Sequence, residues 1–140
     1  MPNDVRLVRF PDGTAVAAAS LAARLEDDPN RDYGLYCDPA WAPTWEADLI
    51  DWPDFGVPAD EDEATRLIAA AFERARTGEH IEVGCIGGLG RTGTVLSCMA
   101  ILSGVPSSEA VDWVRANYDP RAIETEAQEA WVEQFGRRIE

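Results

Sequence analysis

The sequence predicts an α/β fold, a central and mostly parallel sheet flanked by helices. Two features predict it. Apolar runs of strand length alternate with stretches whose apolar residues recur at helical spacing, and one glycine-rich loop stands directly between such a strand and such a helix. At 140 residues, 46% of them hydrophobic, the chain suits one compact domain spanning 1–140, because this length lies at the mode for a single core.

Residues 5–10 alternate apolar and basic side chains, and Pro11, Asp12 and Gly13 make a turn before residues 14–19, so a hairpin opens the domain. Residues 27–31 are a polar loop. Residues 34–37 form a short buried strand ending at Asp38 and Pro39, and residues 47–51 a second ending at Trp52 and Pro53. Trp41, Pro43 and Trp45 belong to a structured loop between them. Asp60, Glu61, Asp62 and Glu63 suit a helix N-terminus, and Leu67, Ile68, Ala71, Phe72 and Ala75 follow at helical spacing until Thr77 and Gly78. Residues 81–84 are a buried strand, 85–90 the glycine-rich loop, and 91–102 an apolar helix closed by Gly104 and Pro106. Ser107 or Ser108 caps a helix running to Tyr118, and Thr125 caps a last one with Trp131 and Phe135.

The formal charge of −14 repels polyanions, which argues against nucleic acid or an anionic membrane as partner. The start of the chain lacks a basic stretch followed by an apolar one, and no segment approaches the apolar length needed to span a bilayer. A cytoplasmic monomer is expected. Three cysteines without a secretory signal are expected to be free thiols. No cluster of ligand residues suggests a metal, and no cofactor is implied.

Cys85 opens the glycine-rich loop. Its glycines let successive N–H groups, those of Ile86, Gly87, Gly88, Leu89 and Gly90, turn inward as a nest for an anion. The following helix aims its positive end at the same place, which favours both a phosphate dianion and a thiolate. Arg91 returns to the loop's mouth, where its planar fork suits two phosphate oxygens. Thr92 can donate its hydroxyl to the sulfur. Cys85 is thus the candidate nucleophile, and Arg91 and Thr92 complete the site.

Cleavage of a phosphate ester leaves charge on the departing oxygen, so a positioned acid contributes about 10²–10⁴-fold. Asp54 is the candidate: it follows a strand, Pro53 and Pro58 stiffen its segment, and Gly56 allows a hinge, so that segment can close over a ligand.

Residues 52–58 resemble, in every position, the mobile acid loop of the protein tyrosine phosphatases. Residues 85–94 resemble that family's signature in Cys85, Gly88, Gly90, Arg91, Thr92 and Gly93. The resemblance implies the roles given above and a two-step course through a phosphocysteine, with Asp54 first acid and then base. Residues 121–128 are similar to the family's glutamine-bearing segment. Glu124 stands where its first glutamine would be, and Gln128 matches the second, which implies that Gln128 positions the hydrolytic water.

Two departures stand out. Gly84 replaces the histidine that the family usually places before the cysteine, and the one histidine, His80, reads as a solvated residue at a strand start. The length is closer to that of the compact dual-specificity members. The implied substrate is phosphotyrosine in a protein. The alternatives are a small-molecule phosphate ester, nucleotide-like or sugar, and a catalytically weak phosphate-binding module. Cys98 is expected in the core, and Cys37 near enough to Cys85 to trap its oxidised form as a disulfide.

Overall fold

The computed structural model describes residues 5–21, 31–38, 45–53 and 55–139. The expectations for Trp41, Pro43 and Asp54, and for most of the polar loop at 27–31, fall outside these residues. The described chain runs β1 (Val5–Arg9), β2 (Ala15–Ser20), β3 (Tyr33–Tyr36), β4 (Ala47–Leu49), α1 (Glu61–Arg76), β5 (Ile81–Cys85), α2 (Gly90–Leu102), α3 (Ala110–Asn117) and α4 (Glu126–Arg138).

The opening hairpin forms as expected. Phe10 N donates to Thr14 O at 2.8 Å, Gly13 N to Phe10 O at 2.9 Å, and Gly13 takes a φ of 93°, a conformation glycine adopts without steric cost. The sheet order is β1-β2-β5-β3-β4. Among the described strands only the β1/β2 pair is antiparallel; β2/β5, β5/β3 and β3/β4 are parallel. β5 therefore sits at the centre, and all five of its residues are buried, as a parallel strand covered on both faces requires.

Register sorts the side chains. Ala18, Leu35 and Val83 align on one face and join the main core, to which all four helices contribute. Ala19 and Tyr36 flank Gly84 on the other, where Leu21, Trp45 and Ala47 complete a smaller cluster. Glu82 shares that second face. It is fully buried, and its carboxylate accepts from Tyr36 Oη at 2.7 Å and Arg31 Nε at 3.2 Å, so the buried charge is paired.

α1 starts where its charges place it: Asp60 accepts from Glu63 N at 3.0 Å, and the expected apolar stripe is buried. α2 is buried at every residue from Gly90 to Ala100, so it forms the middle of the helical layer. α3 differs from expectation. Neither Ser107 nor Ser108 caps it; Glu109 N closes a turn on Pro106 O, and the helix begins at Ala110. Ser107 is instead packed against Gly136 of α4, where a side-chain carbon would come within 2.8 Å of Ser107 Cβ. Thr125 does cap α4, accepting from Gln128 N at 3.1 Å.

Candidate active site

Cys85 ends the central strand, and α2 begins five residues later at Gly90. Between them the backbone doubles back, with Gly88 at a φ of 74°. The Cys85 Sγ accepts from Gly88 N at 3.2 Å and from Thr92 Oγ1 at 3.0 Å. Cys85 is 2% exposed, whereas Ile86 is 42% exposed and Gly87 is also exposed. The sulfur thus lies at the floor of the loop, with two donors directed at it.

Arg91 is 5% exposed, and its Nη1 donates to Cys37 O at 2.9 Å and Trp52 O at 2.8 Å. One guanidinium thereby joins three segments: the start of α2, the end of β3 and the chain leading to Asp54.

Asp54 itself lies outside the described residues, and its two sides are described. Trp52 is buried, its ring centroid 5.6 Å from that of Trp131 on α4. Its Nε1 donates to Gly56 O at 2.7 Å, and Gly56 N donates to Pro53 O at 2.9 Å. Phe55 is 60% exposed and takes a φ of 62°, a strained conformation for a bulky residue.

Gln128 is fully buried, and its amide faces two backbone groups. Oε1 accepts from Glu124 N at 2.8 Å, and Nε2 donates to Gly56 O at 3.2 Å. It links α4 to Gly56. Glu124 is exposed and follows Ile123, whose φ is 60°. Its carboxylate lies over Gly90, where any side-chain carbon would collide with it. This places a carboxylate at the start of α2, beside the loop.

At Gly84 a Cβ would come within 3.0 Å of Leu21 Cδ2 and 3.2 Å of Tyr36 Cδ1. These side chains fill the space that a histidine would need. His80 is exposed at the opposite end of β5, 3.5 Å from Asp32. Cys98 is buried within α2, and burial pushes its thiol up. Cys37 is buried beside the site; burial pushes its thiol well above the usual range, Cys85 adds to that rise, and Arg91 opposes it.

A shallow cleft borders the loop, lined among others by Arg6, Ser20, Gly87, Tyr118 and Arg121. A larger hollow lies at the other end of the strands, among Leu7, Asp12, Arg31, Ala75 and His80, away from Cys85. Among the described residues no three His, Cys, Asp or Glu side chains converge as a metal site would need, and no helix is long and apolar enough to cross a membrane. Ser20 and Tyr118, which bond to the loop's backbone, carry no local sequence signal, because the contacts span 66 and 30 residues.

The family model for protein-tyrosine phosphatases matches residues 41–124. An uncharacterised protein of Methanocaldococcus jannaschii is 34% identical over 109 residues, which cover 70% of this chain and 71% of that protein. A second from the same organism is 33% identical over 109 residues, covering 70% and 66%. Among solved structures, Tk-PTP in its active form is similar at 27% identity and a TM-score of 0.67, over 78% of this chain and 80% of that one. A kinase-associated phosphatase whose catalytic-site cysteine is replaced by serine reaches a TM-score of 0.77 at 13% identity, over 99% and 98%. A mouse putative dual-specificity phosphatase complexed with zinc tungstate reaches 0.71 at 15%, over 99% and 90%. The last two bear on the fold alone. With more than half of its length inside the family model, the chain belongs to the protein-tyrosine phosphatase family, in the compact size range of the dual-specificity members.

Proposed function

We propose that the protein hydrolyses phosphate monoesters through a covalent phosphocysteine on Cys85, with phosphotyrosine in a protein as its substrate. The observation behind this reading is the sulfur itself. It stands at the junction of a central strand and a helix N-terminus, with the Gly88 N–H and the Thr92 hydroxyl directed at it. Such donors stabilise an anion, either a thiolate or the phosphate oxygens that approach it.

In the first step Cys85 attacks phosphorus in line. The bond to the ester oxygen breaks as the phosphorus–sulfur bond forms, and Asp54 gives that oxygen its proton. In the second step water attacks phosphorus, Asp54 takes a proton from it, and the sulfur leaves as an anion steadied by Thr92. Arg91 neutralises the phosphoryl oxygens throughout. Its bonds to Trp52 and Cys37 support a further duty, coupling the phosphate loop to the segment that brings the acid. Gln128, bonded to Gly56 and Glu124, supports that segment from α4.

The test is a metal-free assay of turnover on phosphotyrosine peptides, phosphoserine peptides and small phosphate esters. Phosphotyrosine peptides are expected to be turned over fastest. Cys85→Ser is expected to abolish turnover and keep inorganic phosphate binding, and turnover surviving that substitution would defeat the mechanism. A strong preference for small esters would move the substrate to that class. Binding without release of phosphate by the wild-type protein would identify a binding module.

A further inference from the structure

An N–H can point into the loop only when the carbonyl of the same planar peptide points out. Three consecutive peptides of the loop are fixed by three different groups. The peptide joining residues 86 and 87 is held by Ser20, the last residue of β2, whose hydroxyl donates to Ile86 O at 3.0 Å. The next is held from inside, by the Gly88 N–H on Cys85 Sγ. The third, joining residues 88 and 89, is held by Tyr118, which follows α3 and donates its hydroxyl to Gly88 O at 2.6 Å.

These outer bonds matter because of the glycines. Gly87 and Gly88 flank peptides that can flip at little steric cost, since glycine occupies either sign of φ. A flip at residues 88 and 89 would swing the Gly88 carbonyl into the cup and the Leu89 N–H out of it. Tyr118 is itself held in place. Arg6 Nη1 donates to its carbonyl at 2.8 Å, with the guanidinium carbon 5.4 Å from the ring centroid. Asp119, 3.6 Å from Arg6 and 3.1 Å from Arg121, fixes the adjoining backbone. On the other side Gly88 lies against Ser20, where a Cβ would come within 2.9 Å of the Ser20 Cα.

We propose that Tyr118 and Ser20 are positioning residues that hold the loop in its anion-binding shape before an anion arrives. The inference rests on the reading of the Cys85 loop as the phosphate site. Neither hydroxyl touches the anion; each turns an N–H toward it by holding the opposite end of the same peptide. Preorganisation of this kind shows in affinity, because the anion no longer has to order the loop.

The experiment compares wild type with Tyr118→Phe, Ser20→Ala and the double variant. Tyr118→Phe keeps the ring beneath Arg6 and removes one hydrogen bond. Affinity for inorganic phosphate, measured calorimetrically, is expected to fall about two- to tenfold for each single variant. The double variant is expected to lose more than either, and kcat/KM on a phosphate ester to fall in parallel with affinity. Ser20→Ala gives the same reading on its own should Tyr118→Phe not fold. Variants that melt at lower temperature yet bind phosphate as tightly as wild type would overturn the proposal, leaving the hydroxyls a packing role only. Wild-type protein that neither binds inorganic phosphate nor turns over any ester would defeat the functional reading itself, and this inference with it.

Discussion

Cys37 and Cys85 stand side by side where two parallel strands end, and their surroundings differ. β3 and β5 pair Tyr36 with Gly84, and Cys37 N bonds to Gly84 O, so the next residue of each strand faces the same core. Neighbouring strands lie about 4.8 Å apart, inside the Cα range that a disulfide bridges. Cys85 receives two donors at its sulfur, whereas burial keeps Cys37 a neutral thiol. Peroxide is therefore expected to oxidise Cys85 to its sulfenic acid first. The Cys37 thiol then displaces water from it to give a disulfide. Mass spectrometry of treated protein should show the Cys37 and Cys85 peptides crosslinked, and irreversible oxidation of Cys85 in Cys37→Ser. Treated wild type without that crosslink would reject the idea. Gly84 is the second residue whose environment dictates its identity. Restoring the family's histidine there forces a ring into space held by Leu21 and Tyr36, and Gly84→His is expected to lower stability by about 1–3 kcal/mol, measured by denaturant unfolding.

Among the elements, the segment after Pro53 is tied to α4. Gly56 O accepts from both Trp52 Nε1 and Gln128 Nε2, so Gln128→Leu leaves the first bond and removes the second, together with the bond that Gln128 Oε1 accepts from Glu124 N. That segment is expected to loosen without unfolding, and with Asp54 as the proposed acid the loss should track the need for one. Turnover of alkyl phosphates is expected to fall about tenfold, part of what a positioned acid contributes. An ester with a leaving group as good as para-nitrophenolate should change less. Equal losses on both substrates would place the defect elsewhere. The strand, loop and helix around Cys85 were legible in sequence because each boundary has a local chemical cause: glycines at the turn, a short buried run before it, an apolar helix after it. α3 starts later than its serines predict because Ser107 packs against Gly136 rather than capping, a choice made by tertiary contact. Gln128 could be matched by resemblance, but its burial between Glu124 N and Gly56 O spans 72 residues and leaves no periodic trace. The bond from Arg6 to Tyr118, 112 residues apart, is equally invisible along the chain.

Across the whole molecule, a formal charge of −14 surrounds the proposed phosphate site. The positive groups near Cys85 are few: the Gly88 N–H on its sulfur, the start of α2, Arg91, and Arg6 and Arg121 beside the neighbouring cleft. A Debye length of about 8 Å at physiological salt confines the attraction of such a site to its mouth, while acidic residues across the rest of the surface repel an approaching anion at low salt. Flanking charge on a substrate should therefore matter more than the phosphate's own charge, which meets the local field last. A phosphotyrosine peptide with glutamates on both sides is expected to gain kcat/KM, by about several-fold, as ionic strength rises from low to physiological values. The same peptide with arginines in those places should lose kcat/KM over the same range. Steering acts on encounter, so the effect belongs in kcat/KM, and kcat should stay level for both. Parallel salt profiles for the two peptides would show that the net charge plays no part in substrate choice, and that selection rests on contacts within the cleft alone.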